Sequence, residues 1–137
     1  MRFSKTTEYA IRVIVFLSDH RSELYSVNKL HQKLNVPYKY LGRLMSKLAA
    51  SGLVEVAQGK QGGFRINSNR EPIYLYQIID VVEGLADYER CVLGFPTCSD
   101  ENPCSLHKYW LENLEGIKKM VYEVSLQDLA REKSIKY

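Results

Sequence analysis

Residues 27–67 read VNKLHQKLNVPYKYLGRLMSKLAASGLVEVAQGKQGGFRIN, and their order of patterns decides the fold. Ser26 stands just before this stretch, where its hydroxyl can accept from a free first-turn N–H and cap a short helix, VNKLHQKL, that ends near Asn35. Pro37 marks the start of the next helix, a place where its missing N–H costs nothing. That helix runs over residues 38–50, buries Leu41, Leu44, Met45 and Leu48 on one face, and is stopped by Gly52. Two alternating runs follow, LVEVA (53–57) and FRIN (64–67), joined by QGKQGG, which reads as a β-hairpin with a long loop.

Two short helices with a tight connection and then a hairpin form the winged helix-turn-helix arrangement. The major groove of duplex DNA admits one helix, and the second helix of the pair supplies it. Opposite its apolar face, that helix shows Lys39, Tyr40, Arg43 and Lys47. Arg43 can pair bidentately with guanine or hold a phosphate, and Tyr40 offers a hydroxyl and a flat ring. Lys39 and Lys47 suit phosphates, which set register rather than sequence. The hairpin loop is the wing. Its glycines, Gly59 among them, let backbone approach the sugar-phosphate edge, while Gln58 and Lys60 reach the minor groove.

Outward from this block, Ser4 precedes Ala10, Val13, Ile14 and Leu17, which gives a helix over residues 4–18, and residues 19–25 form a polar connection. Downstream, Pro72 opens a helix with Leu75, Ile78, Ile79 and Val82 inward, closed by Gly84. Residues 88–104 have no period, two prolines and all three cysteines, and read as a loop. A long helix spans residues 105–124. A last one, LQDLARE, leads to a basic tail.

The chain has 137 residues, about one domain's worth, with 45% hydrophobic and 26% charged residues, ordinary for a globular protein. Charge is divided: residues 1–70 carry twelve Lys/Arg and four Asp/Glu, a balance of +8, whereas residues 71–137 carry seven and twelve, a balance of −5. The basic half points to a polyanion partner. No apolar run approaches the roughly 18–20 residues of a membrane span, and the opening MRFSKTTEYAIR lacks the pattern of a signal peptide. A cytoplasmic location is expected, without a membrane partner. Three cysteines in a reducing compartment argue against a disulfide framework.

Those cysteines carry the second motif. Cys91, Cys98, Cys104 and His107 are spaced C-x6-C-x5-C-x2-H. Thiolate and imidazole are ligands for iron–sulfur clusters and zinc. The spacing is loose for structural zinc and better suited to a cluster. Cys104 and His107 straddle the start of the long helix, whose N-terminus favours bound negative charge. A third motif lies in that helix: Trp110, Leu114, Ile117, Val121 and Val124 recur at 4, 3, 4, 3, and Leu111 and Met120 widen the stripe. Such a seam can pair with its copy in a homodimer or pack on its own domain's core; pairing is favoured because DNA-reading helices normally come in pairs.

The opening RFSKTTEYAIR, the block PYKYLGRLMSKLAASGLVEVAQGKQGGFRI, the helix IYLYQIIDVVEG and the cysteine loop together resemble the Rrf-two family of winged-helix regulators, along essentially the whole chain. The resemblance implies a homodimeric DNA-binding repressor or activator acting on a pseudo-palindromic operator. It further implies a 2Fe–2S or 4Fe–4S iron–sulfur cluster, held by Cys91, Cys98 and Cys104, that reports nitric oxide, iron or redox state. For the fourth ligand, one branch of the family uses a histidine where His107 stands. Another uses an acidic residue of the second subunit where Glu8 stands. Both remain open, and the residues give Glu8 a plainer role as an ion-pair partner of Arg12 at i+4. The first cysteine gap is one residue longer than in the histidine branch, which leaves the cluster type open. Gln58, Lys60, Gly42 and Arg43 also depart from common family residues, which leaves the operator sequence open.

The expected fold is thus mainly α with a small β-hairpin. Residues 1–70 form the winged helix-turn-helix DNA-binding region, and residues 71–137 hold the cluster-binding loop and the long C-terminal dimerisation helix, in one compact intertwined unit. No catalytic pattern or nucleotide-binding glycine fingerprint marks an enzyme. The alternatives are a regulator with a thiol-redox or zinc site in place of the cluster, or a small redox protein that does not bind DNA.

Overall fold

Ser4 caps α1 (Lys5–Asp19) as its position predicts, its side chain accepting from the Thr7 N–H at 3.2 Å. In this computed structural model, which describes residues 2–131 and 136–137, Ser26 likewise caps α2 (Val27–Leu34), accepting from Lys29 N–H at 3.2 Å. Asn35 ends α2 in the left-handed region, φ 54°, a conformation that asparagine tolerates better than most residues. Helix α3 (Tyr38–Ala50) starts directly after Pro37 and is followed by Gly52 at φ +82°. Strands β1 (Val54–Ala57) and β2 (Gly63–Ile66) pair antiparallel, with Val54 opposite Ile66 and Ala57 opposite Gly63.

The stretch 19–25 is more than a polar connection. Tyr25 is buried and exchanges two backbone hydrogen bonds with Phe64, at 3.0 and 2.8 Å, adding a bridge to the free edge of β2. Its ring packs edge-on against Phe16. The root of the wing is therefore tied to the end of α1.

Pro72 does not open a helix. Ile73 and Tyr74 stay extended because their backbone pairs with a distant segment: Leu126 N–H donates to Ile73 O at 2.7 Å and Leu75 N–H to Val124 O at 3.2 Å. Helix α4 (Leu75–Val82) begins after this pairing, and Gly84 follows it at φ +82°. A short 3-10 turn, Ala86–Tyr88, leads into an irregular loop. Helix α5 (His107–Glu123) starts two residues later than its pattern predicts, and α6 (Leu126–Ala130) is capped by Ser125. The end of the predicted LQDLARE helix at Glu132 and most of the basic tail lie outside the described residues.

Ala10, Val13, Ile14 and Leu17 of α1 are fully buried and form the centre of the core. Helix α1 packs on α4 and α6, and α3 packs on α2 and α4. Leu30, Leu41, Met45, Leu48, Ile78 and Ile79 close the same cluster; each such side chain contributes roughly 1.5–3 kcal/mol of apolar burial. The seam of α5 is covered unevenly. Val121 is buried, but Trp110, Leu111, Leu114, Ile117 and Met120 are only half-buried on this chain. No helix among the described residues is long and apolar enough to cross a membrane.

Candidate functional site

Burial of Leu41, Leu44, Met45 and Leu48 turns the other face of α3 to solvent, and Lys39, Tyr40, Arg43 and Lys47 are all exposed there. Lys39 Nζ sits 4.9 Å from the Tyr40 ring centroid, and the Tyr9 ring lies 6.3 Å from it. An open cleft beside this face is lined by Lys39, Tyr40, Arg43 and Lys47 together with Thr6 of α1 and Val82 of α4. Thr6 carried no signal in the sequence; only the packing of α1 against the helix pair brings it there.

Gln58, Gly59 and Lys60 are exposed at the tip of the hairpin. The turn is closed by Gly62 N–H donating to Gly59 O at 3.0 Å. Gly62 has no room for a side chain, since a Cβ would lie 2.1 Å from the Ala57 carbonyl oxygen. Lys60 on the wing and Lys39, Arg43 and Lys47 on α3 are exposed cations.

The cysteine loop gathers its thiols. The Sγ atoms of Cys91, Cys98 and Cys104 all lie within 4.8 Å of one another, with Cys91 and Cys104 at 3.6 Å. Backbone geometry holds them: Gly94 N–H donates to Cys91 O at 2.9 Å, and Cys104 N–H points at Cys98 Sγ at 3.5 Å. His107, in the first turn of α5, places Nδ1 3.2 Å from Cys98 Sγ. Its Nε2 lies 2.9 Å from Asp100 Oδ1. Asp100 went unnoticed in the sequence because an acidic residue in an acidic loop has no distinguishing pattern.

The thiols are not equivalent. Burial pushes the Cys91 thiol up, but backbone N–H groups of Phe95 and Leu93 and the neighbouring thiols outweigh it and bring the group down to about 7. At Cys98 the Cys104 N–H favours the thiolate, but burial and the two neighbouring thiols leave the group above its ordinary value.

Glu8 is placed apart from this loop's hydrogen-bonded groups. It pairs with Lys5 at 2.8 Å and Arg2 at 3.8 Å, and the Lys5 bond leads the causes that hold its carboxyl below the ordinary value. The expected i+4 pair with Arg12 does not form. Arg12 instead donates to Leu34 O at 2.5 Å, a free carbonyl at the end of α2.

A family model described as Rrf2, iron-dependent transcriptional regulator, matches residues 3–132. A putative HTH-type transcriptional regulator of Aquifex aeolicus is 29% identical over 131 residues, covering 94% of this chain and 91% of that one. The HTH-type transcriptional regulator IscR of Xenorhabdus nematophila is 24% identical over 136 residues, covering 98% and 82%. The solved structure of CymR (YrzC), the global cysteine regulator of B. subtilis, superposes with a TM-score of 0.75 at 25% identity, covering 95% of this chain and 96% of that one. These are regulators of transcription, not enzymes, and their winged-helix fold is the one described above. Matched along nearly its whole length, the chain belongs to the Rrf2 family of transcriptional regulators.

Proposed function

We propose that this chain works in the cytoplasm as a homodimer on a pseudo-palindromic DNA operator, and that an iron–sulfur cluster held by Cys91, Cys98 and Cys104 sets its grip. The two regions would divide the work, residues 1–70 reading DNA and residues 71–137 sensing and pairing. The observation that carries the reading is the convergence of three thiols within 4.8 Å beside an imidazole at the head of α5.

The donor set fits such a group: thiolates and an imidazole are ligands for iron and zinc. The 3.6 Å between Cys91 and Cys104 Sγ is close to the edge, about 3.8 Å, of a sulfur tetrahedron around one ion at about 2.3 Å. A cluster, 2Fe–2S or 4Fe–4S, takes its thiolates on more than one iron, so at least one of the three sulfurs would have to move outward. The loop has no regular hydrogen-bond ladder to prevent that movement. When bound, the cluster supplies a centre sensitive to iron supply, oxidation and nitric oxide. His107 is the favoured fourth ligand because its Nδ1 already faces the thiols, whereas Glu8 from a second copy would first have to leave Lys5 and Arg2.

The chain's own part is mechanical. Ordering the loop fixes the start of α5, whose half-buried stripe at Trp110, Leu114 and Ile117 pairs with its copy. That pairing sets the distance between the two α3 helices. On the DNA, Arg43 and Tyr40 reach base edges, Lys39 and Lys47 hold phosphates, and Gln58, Gly59 and Lys60 follow the minor groove. Loading can shift affinity only by its differential preference for the two arrangements.

A second reading has its own observation. Cys91 and Cys104 stand at 3.6 Å and the Cys91 thiol is brought down to about 7, as a disulfide switch without metal requires.

The test is anaerobic purification, iron and sulfide analysis, sedimentation, and titration of duplex DNA at several salt concentrations with loaded and emptied protein. Bound iron and sulfide, a dimer, and an affinity that changes on emptying are expected. Equal affinity in both states removes the sensor role, and no salt-dependent binding removes the DNA reading. Metal-free protein whose binding follows a Cys91–Cys104 disulfide establishes the second reading instead.

A further inference from the structure

We infer that Asp100 is a positioning residue for the metal centre: its carboxylate accepts a hydrogen bond from the Nε2–H of His107 and so commits the Nδ1 lone pair to the three-cysteine site. This rests on the cluster reading above. A carboxylate only accepts hydrogen bonds, so the 2.9 Å contact between Asp100 Oδ1 and His107 Nε2 requires the proton on Nε2. The lone pair is then on Nδ1, the nitrogen that stands 3.2 Å from Cys98 Sγ. Cys98 Sγ faces that lone pair, and with a metal bound the same lone pair would be available to it.

The carboxylate is held in place by the local backbone. Ser99 and Asn102 exchange two backbone hydrogen bonds, at 3.1 and 3.3 Å, and the Ser99 side chain accepts from Asn102 N–H at 3.2 Å. That tight turn presents Asp100 towards the first turn of α5. The His107 side chain is only 14% exposed while that of Asp100 is 87% exposed, so the imidazole lies inside the site with its carboxylate partner on the solvent side. A ligating histidine whose far nitrogen is tied in this way is fixed in both tautomer and ring orientation.

The test loads wild type, Asp100→Ala, Asp100→Asn and His107→Ala with ferrous iron and sulfide under anaerobic conditions, using isotopically labelled histidine. Pulsed EPR of the reduced centre reads nitrogen coupling, and a chelator challenge times cluster loss. Wild type is expected to show one coupled nitrogen, and His107→Ala none. Asp100→Asn keeps the acceptor oxygen and should keep both the coupling and the lifetime. Asp100→Ala frees the ring, so the coupling should weaken or split and the cluster be lost about 10-fold faster. Asp100→Ala indistinguishable from wild type in both readouts overturns the inference, as does a loaded wild type with no coupled nitrogen. Failure of the wild type to take up iron and sulfide overturns the cluster reading itself.

Discussion

The hydroxyl of Tyr88 donates to the carboxylate of Glu83, fastening the segment that leads into the cysteine loop to the end of α4. Ser4 and Thr7, at the head of α1, face the same carboxylate. The Tyr88 ring lies 5.8 Å from Phe3. The loop root is thus joined to the helix that carries Thr6 into the α3 cleft. These contacts join the segment just before Cys91 to the helix that borders the basic face of α3.

Acid should loosen that link. Burial pushes the Glu83 carboxyl up, but hydrogen bonding from Ser4, Tyr88 and Thr7 outweighs it and leaves the group below its ordinary value of 4.5. Its folded form therefore prefers the carboxylate. The resulting stability is present above that value and is lost as pH falls through the lower, folded one. Urea midpoints measured over an acid series should decline more gently for Glu83→Gln than for wild type. At neutral pH, Tyr88→Phe should cost about 1.5 kcal/mol, because it removes a hydrogen bond to a charged acceptor. A Tyr88→Phe midpoint equal to wild type would show that the bond contributes nothing.

How far these features could be read in advance depends on the range of the forces behind them. Helices α1 and α2 were legible because Ser4 and Ser26 announce their starts within three residues. The hairpin was legible because its strands alternate and a glycine-rich turn joins them. The extended run at Ile73 and Tyr74 was not, because its partner lies some fifty residues on. The Tyr25–Phe64 bridge escaped for the same reason. At the site, grouped cysteines and a histidine declare a donor set by their spacing. Asp100 is distinguished only by a turn that aims it. The Glu8–Arg12 pair failed on competition: α2 ends with a free carbonyl at Leu34, and Arg12 takes it.

Glycine substitutions should separate the reading helix from the wing. A Cβ at Gly42, inside α3 on the exposed face, meets nothing within 4 Å. Gly42→Ala should therefore stabilise the protein by about 1 kcal/mol through lower backbone entropy in the unfolded chain. At Gly62 the added carbon would press on the Ala57 carbonyl, so Gly62→Ala should lower the urea midpoint and weaken DNA binding together. Equal midpoints for the two variants would contradict the hairpin geometry.

In the emptied protein, Cys91 should alkylate faster than Cys98. Its group is brought down to about 7, whereas Cys98 is held above its ordinary value. The thiolate is the nucleophile, so the Cys91 rate should rise through neutral pH and level off above it, while the Cys98 rate is still climbing. Mass spectrometry of iodoacetamide-treated peptides over a pH series reads each site separately. Equal rates at neutral pH would mean that the Phe95 and Leu93 N–H groups do not favour the Cys91 thiolate.

Arg43 and Lys47 stand one turn apart on the exposed face of α3, yet their removal should be felt differently. Arg43 carries a planar fork that matches the O6 and N7 acceptors of guanine. Lys47 carries a point charge suited to a phosphate, which every sequence presents. On the preferred operator, Arg43→Ala should cost about 1–3 kcal/mol and flatten the preference at one base pair in each half-site. Lys47→Ala should weaken preferred and scrambled duplexes alike and reduce the slope of log affinity against log salt by about 1 per protomer. Arg43→Lys separates charge from shape: it should restore the salt slope but not the base preference. If Arg43→Ala instead weakens all duplexes equally and Arg43→Lys recovers the whole loss, Arg43 is a phosphate contact and sequence is read by Tyr40 and the wing.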